Sequence, residues 1–390
     1  MQITRLKLKQ FRNYAYLDTE VSPGINLFFG QNGLGKTNLL EAIHYCALGK
    51  SHRTNLDREV IGRGDSFAAC GVTLEKRDGV HDVAVKLTTT GERKKQIFLD
   101  GKKAARLSAM MGMLKCVIFS PEDLQLVKDG PSVRRRFLDM MLSQISTAYF
   151  TSLQEYQQAL NQRNAMLRTA SLRGQKLPSS VELWEEAMAK AAAVIVRERQ
   201  DCCTRLAVET KKRYASISGR DQEIFSLTYQ PCLTVGEGMQ ERLLNVWREK
   251  RNEDLRRGTT TFGVHREEIL LTLQGNDMKQ FASQGQMRTA ALAMKLSELT
   301  VFKELSGESP VLLLDDVMSE LDVQRRRCLL DEIRGVQTFV TCTDENDISQ
   351  REKYMPWQVD LDAQGNAVLK ACKCELRRER VGKLTDDFLL

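Results

Sequence analysis

The chain has no long apolar run. Its longest, Ala191 to Val196, falls far short of the roughly 18–20 residues that span a bilayer. The start, Met1-Gln2-Ile3-Thr4-Arg5-Leu6, carries no secretory-type apolar stretch, so a soluble, cytoplasmic protein with no membrane association is expected. Cysteine is dilute: ten residues show no framework spacing, and neither Cys202-Cys203 nor Cys372-Lys373-Cys374 has the two-residue gap of a zinc or redox motif. That excludes a disulfide scaffold and leaves no metal-thiolate pattern. Aromatic residues make up only 6%, with no interleaved basic-aromatic stripe, which argues against a base-stacking single-strand platform. Helix-turn-helix and zinc-finger patterns are missing. So are internal repeats and low-complexity tracts, apart from the charged tail Arg377-Arg378-Glu379-Arg380.

What is present is an ordinary globular composition of 390 residues, 42% hydrophobic and 28% charged. Lys and Arg number 58 against 51 acids, a net charge of +7. The length favours one large or two linked domains. The first third reads as strands: Ile3-Leu6-Leu8, Ile25 to Phe29, Gly71 to Leu74, Val83 to Leu87, Lys95 to Leu99 and Val117 to Phe119. Asp100-Gly101 after the fifth of these is a hairpin signal. From about Leu124 the period becomes helical. One helix runs through Leu153, Leu160 and Leu167 to a break at Gly174, and a second runs from Val181 to Tyr214. Together they predict an antiparallel helical hairpin. A third helix spans about Gln240 to Arg257 and ends at Gly258. Strands then return at Ile269 to Leu273, Val311 to Leu314 and Thr338 to Thr341. The expected fold is α/β: a discontinuous head over 1–123 and 258–390, with an all-helical insertion over 124–257.

Gly30-Gln31-Asn32-Gly33-Leu34-Gly35-Lys36-Thr37 fits G-x-x-x-x-G-K-[ST], with an apolar strand before it and a helix, expected to be amphipathic, from Leu39 to Leu48 after it. Glycines let backbone amides curl around phosphate oxygens, and the helix N-terminus adds a favourable dipole. Lys36 would reach the β- and γ-phosphates of ATP, and Thr37 would ligate Mg²⁺, with Asn38 beside it. Such a loop needs an acid on a neighbouring strand. Val311-Leu312-Leu313-Leu314-Asp315-Asp316 offers two, Asp315 for Mg²⁺ and Asp316 to polarise the attacking water. Upstream, Ser283-Gln284-Gly285-Gln286 opens a helix from Met287 to Leu299, and a Ser beside a Gly at a helix start is an anion site or a plain N-cap.

Loop, Ser-x-Gly-Gln, Leu-Leu-Leu-Asp-Asp and Ser319-Glu320-Leu321-Asp322, in that order, resemble the ABC-type ATPase heads of the SMC class. Within that class the chain resembles the bacterial RecF family. The resemblance lies in Phe11-Arg12-Asn13-Tyr14, Asn38 to Ile43, Gly49-Lys50-Ser51-His52-Arg53, Phe119 to Leu124, Arg134 to Asp139 and Asp315 to Asp322. There are three departures: one from the RecF-like pattern, one from transporter ATPases that RecF-like proteins share, and the tail from about Ala371 to Leu390, which runs past where the resemblance fades. Gly263-Val264-His265-Arg266-Glu267-Glu268 stands where the family shows Gly-Pro-His-Arg-Asp-Asp. Thr341-Cys342-Thr343-Asp344 stands where transporter ATPases carry a switch His, with Thr343 a catalytic candidate.

The resemblance implies a composite site in an ATP-dependent homodimer. In it Ser283, Gly285, Gln286 and Arg288 of one copy would reach the γ-phosphate held by the other. It further implies DNA-dependent ATP hydrolysis in recombinational repair, partner proteins of the RecR and RecO type, and help in loading recombinase on gapped DNA. Asp316, where transporters commonly have Glu, suggests slow turnover suited to a switch. Basic residues cluster at Arg93, Lys94, Lys95, Lys102, Lys103 and Arg106 around the expected hairpin, and at Arg134-Arg135-Arg136. These are the candidate contacts to double-stranded DNA or a duplex–single-strand junction. The alternative, a nucleotide-binding subunit of an ABC transporter, fits poorly because its signature usually follows the loop much sooner and has two glycines.

Overall fold

The computed structural model describes residues 1–91, 94–220, 222–345 and 353–372. Arg93 and the tail after residue 372 lie outside the described residues. The chain divides into two compact units, Met1–Asp123 with Glu298–Leu390, and Leu124–Ser297. The first unit begins with β1 (Gln2–Phe11), β2 (Tyr14–Glu20), β3 (Ile25–Phe29) and helix α1 (Lys36–Leu48). Strands β4 (Phe67–Lys76), β5 (Gly79–Thr88), β6 (Lys95–Leu99), β7 (Lys102–Lys103) and β8 (Cys116–Phe119) follow.

The second unit holds α2 (Gln125–Lys128), α3 (Pro131–Ile145), α4 (Thr147–Arg173), α5 (Val181–Ser218), β9 (Phe225–Gln230) and α6 (Met239–Arg257). It continues with β10 (Glu268–Leu273), β11 (Asn276–Asp277), α7 (Met278–Phe281) and the start of α8 (Gln284–Ser306). The chain then returns to the first unit with β12 (Val311–Asp315), α9 (Val317–Glu320), α10 (Val323–Glu332), β13 (Thr338–Cys342), β14 (Tyr354–Leu361) and β15 (Ala367–Ala371).

Two sheets build the first unit. One is antiparallel, in the order β2-β1-β4-β5-β6-β7. The other runs β15-β14-β3-β13-β12-β8 and is parallel except for β15. β12 (Val-Leu-Leu-Leu before Asp315) and β13 (Thr-Phe-Val-Thr-Cys) are buried throughout without alternation, the pattern of parallel strands covered on both faces. Helix α1 touches strands of both sheets, and every residue in it except Thr37 and Asn38 is buried. It is therefore a core helix and not the amphipathic one expected, since a helix enclosed on all sides has no face to leave polar. The β6–β7 turn has positive φ at Asp100 (48°) and Gly101 (75°), the backbone the Asp-Gly pair predicts.

In the second unit α4 and α5 form the predicted antiparallel hairpin. Ser146 at one end of α4 bonds Glu198, and Arg163 further along bonds Glu185. Gly174 ends α4 at φ 61° and Gly258 ends α6 at φ 64°, left-handed positions that glycine occupies freely. The insertion differs from expectation in two ways. It is not wholly helical, and it continues past residue 257 to Ser297. The reason is strand pairing: β10, read from sequence as a return to the head, pairs antiparallel with β9 and β11 instead.

Candidate nucleotide-binding site

The phosphate-loop residues connect β3 to α1 through three glycines of positive φ: Gly30 at 148°, Gly33 at 86° and Gly35 at 108°. Two cannot be replaced without collision. A side chain at Gly30 would meet the Val359 carbonyl at 2.6 Å, and one at Gly35 would meet the Asn13 amide at 2.5 Å. Asn13 braces the loop, donating Nδ2 to the Leu34 carbonyl (2.9 Å) and accepting from Asn38 Nδ2 (2.8 Å). Tyr14 donates to the Gly35 carbonyl at 3.3 Å. Phe11 to Tyr14, quoted above only for its resemblance, is thus the wall behind the loop.

Lys36 Nζ lies along the loop, donating to the carbonyls of Gly30 (2.6 Å) and Gln31 (2.9 Å) and to Asn32 Oδ1 (3.4 Å). Burial lowers its pKa, against the pull of Asp316, Cys342 and Asp315. Asp315 Oδ1 accepts two hydroxyls, from Thr37 at 2.7 Å and from Thr341 at 2.8 Å. The Asp316 amide donates to Thr341 Oγ1 at 2.9 Å. Asp316 itself sits at φ 53°, a left-handed backbone uncommon outside glycine, and Ser319 Oγ donates to its carbonyl at 2.9 Å. Asn32, Gly33, Gly35, Lys36, Thr37, Asn38, Arg53, Asp316 and Thr341 line one cleft of about 240 Å³.

Thr341 and Arg53 are the two residues of this cleft that sequence reasoning did not select. Thr341 is the residue directly opposite Asp315 in the β12–β13 register. Thr343, selected in its place, follows β13 and is exposed. Arg53 donates to Asn38 Oδ1 at 3.0 Å and lies 3.6 Å from Glu41. Glu41 is fully buried. Burial opposes its ionisation, yet hydrogen bonds from Arg12 (2.6 and 2.9 Å) and Ser51 (2.5 Å) outweigh that and hold its pKa below the usual carboxylate range.

Ser283, in the second unit, caps α8 in a reciprocal box. Its hydroxyl accepts from the Gln286 amide (3.3 Å), and its own amide donates to Gln286 Oε1 (2.8 Å). Ser283, Gly285 and Arg288 are exposed, whereas Gln286 is half-buried and bonds Glu223 at 3.1 Å. In the Gly263–Glu268 stretch, His265 donates from Nε2 to the Thr260 carbonyl (3.1 Å) and, neutral, accepts from Tyr156 Oη at Nδ1 (2.7 Å), and burial lowers its pKa to about 4.

The basic candidates divide. Lys94, Lys102, Lys103, Arg106 and Arg136 are exposed. Lys95 instead turns inward to the Gly49 carbonyl (2.7 Å) and Asp57 (2.9 Å). Arg134 is buried and donates two hydrogen bonds to Glu268 (3.0 Å each) and two more to backbone carbonyls, and Arg135 donates to the Glu267 carbonyl at 2.5 Å. Arg134 is therefore an internal tie of the second unit, because a guanidinium whose donors are taken by such acceptors has little to offer phosphate, and half-buried Arg135 is tied to the same unit by one bond.

The fold and the loop define a P-loop ATPase head of the ABC type found in SMC proteins. Residues 2–361 match the RecF/RecN/SMC N-terminal domain family. An SMC head bound to the C-terminal winged-helix domain of ScpA superposes with a TM-score of 0.55 at 14% identity, covering 96% of this chain and 98% of that one. The chain belongs to the RecF family. It is 39% identical over 349 residues to the DNA replication and repair protein RecF of Alkaliphilus oremlandii, covering 88% of this chain and 93% of the relative. It is 40% identical over 357 residues to RecF of Lactobacillus delbrueckii subsp. bulgaricus, covering 90% and 93%. A solved RecF–ATP structure, described as a recombination mediator in the RecFOR pathway, has a TM-score of 0.85 at 31% identity and covers 95% and 98% of the two chains. Among the described residues no helix is long and apolar enough to cross a membrane.

Proposed function

We propose that this chain is an ATP-gated DNA-binding switch of recombinational repair, working in the cytoplasm at gapped or stalled-replication DNA. The observation that carries this is the convergence of Thr37 and Thr341 on Asp315 beside the glycine loop, with Asp316 next to it. A hydroxyl and a carboxylate oxygen 2.7 Å apart suit a hard cation, so Thr37 and Asp315 are the residues that would hold Mg²⁺. Mg²⁺ there would supply charge neutralisation between the β- and γ-phosphates. The loop amides and Lys36 bind and orient the phosphates. Asp316, held in place by its own amide and by Ser319, orients the attacking water. Hydrolysis is slow and DNA-dependent, serving to time release. The ATP-bound relatives support the nucleotide.

The exposed Ser283 end of α8, with Gly285, Gln286 and Arg288, completes the site of a second copy, so ATP stabilises the dimer in which it is shared. Thr343 stays a catalytic candidate at the same β13 end. Lys94, Lys102, Lys103, Arg106 and Arg136 meet duplex phosphates, and RecR- and RecO-type proteins are the partners in placing recombinase. Sedimentation with and without ATP tests the switch. Lys36→Met and Ser283→Arg should each abolish ATP-dependent dimerisation, and mixing the two should restore at most one composite site per dimer. Normal dimerisation of Ser283→Arg would rule out the shared site.

A further inference from the structure

Strand register assembles on one sheet face what the linear sequence keeps apart. The alternation that sends Leu6, Leu8, Val72 and Val83 to the core of the antiparallel sheet sends their neighbours to its other face. There Tyr16 pairs with Lys9, Lys9 with Ala69, and Ala69 with Lys86. One row along, Ala84 pairs with Phe98 and Phe98 with Lys103. Phe67 lies between the lysines, with Lys9 Nζ 5.6 Å and Lys86 Nζ 5.3 Å from its ring centre. Tyr16 is 58% exposed, and Phe98 rests on the small floor of Ala69 and Ala84. Acids lie beside the stripe and are engaged there: Asp18, two residues along β2 from Tyr16 and paired with Lys7, by Arg5 (2.6 Å) and Lys7 (3.4 Å), and Asp82, two residues along β5 from Ala84, by Thr73 (2.8 Å). The stripe Tyr16, Lys9, Phe67, Lys86, Phe98 and Lys103 is thus aromatic and cationic together.

We propose that this stripe binds single-stranded nucleic acid. Tyr16 presents an open ring to a base, Phe67 orients two ammonium groups by cation–π attraction, and those groups meet successive phosphates. Six strands at about 4.8 Å spacing give a track of about 24 Å, in the range of sheet-based single-strand sites. Lys103 belongs to the β6–β7 hairpin, so the track continues into the exposed basic residues assigned to duplex. The inference rests on the DNA-binding reading for its class of ligand and assigns the single-strand side of a junction to this face.

The test is a fluorescence-anisotropy titration of the full chain with labelled oligo-dT and with a duplex of equal length, at several salt concentrations, with and without ATP. Tyr16→Ala should weaken oligo-dT binding about 5- to 150-fold while leaving duplex affinity unchanged. Tyr16→Phe, which keeps the ring, should bind like the parent. Lys9→Gln with Lys86→Gln should reduce the oligo-dT salt slope by about 1.4. Parental oligo-dT affinity in Tyr16→Ala would overturn the proposal and leave the face to an acidic protein segment. Parallel loss of duplex and oligo-dT affinity in Tyr16→Ala would also overturn it. ATP dependence of duplex binding scores the switch separately, because the Tyr16 contrast is read on single strands whether or not ATP gates the duplex.

Discussion

At Asp315, a single carboxylate oxygen takes hydroxyls from two elements, Thr37 at the start of α1 and Thr341 on β13. Thr341 also receives the Asp316 amide, so one buried hydroxyl fixes both acids of the site. Thr341→Val keeps the shape but removes the donor to Asp315 and leaves the Asp316 amide without its acceptor. ATP binding should persist, because Lys36 and the loop are untouched. Single-turnover hydrolysis should fall about 10–100-fold, the usual cost of losing a support behind a metal ligand, and Thr341→Ser should recover most of it. Equal hydrolysis by Thr341→Val and the parent would remove Thr341 from the mechanism. The glycines, Lys36, Thr37 and both acids were legible in the sequence because each belongs to a contiguous motif whose chemistry demands it. Thr341 was not, since its role comes from standing opposite Asp315 in a pairing of strands more than twenty residues apart.

Elements show the same division between local and distant causes. The Asp100-Gly101 turn and the helix ends at Gly174 and Gly258 were readable because backbone conformation there depends on one or two residues. The membership of β10 was not readable, since the same apolar strand could pair with the head or with β9, and only the tertiary fold decides. Nor was the tie among the helices of the second unit. Arg163, fully buried on α4, donates to Glu185 on α5 (2.9 and 3.1 Å), to Asp254 on α6 (2.7 Å) and to Thr260 (2.8 Å). Arg163→Met fills similar volume but takes the guanidinium from the buried Asp254 carboxylate and leaves buried Glu185 to Arg251 alone (2.5 Å). The expected loss is about 3–5 kcal/mol in thermal or urea unfolding. Adding Asp254→Leu should restore part of it, because the buried charge left without its guanidinium and not the missing bonds carries most of the cost. A cost below about 1 kcal/mol for Arg163→Met would mean water reaches the network.

For the molecule as a whole, a net charge of +7 says little, because many of its basic side chains are spent inside. Lys95, Arg134, Arg135, Arg163 and Arg199 all hold internal acceptors, Arg199 joining Asp139 (2.7 Å) and Glu267 (2.6 Å). Of the two basic clusters in the sequence, Arg134 of one is therefore spent inside while Arg136 stays exposed, and Lys94, Lys102, Lys103 and Arg106 of the other are all exposed. These two groups make opposite predictions. Duplex affinity measured against salt gives a log–log slope of about −0.9 for each phosphate neutralised. Changing Lys94, Lys102, Lys103 and Arg106 together to Gln should flatten that slope by up to about 3.6, with thermal stability unchanged. Arg134→Gln should leave the slope alone and lower stability, since it breaks the two-hydrogen-bond ion pair with Glu268. A slope that responds to Arg134 and ignores the hairpin would place the duplex on the second unit and off the sheet edge.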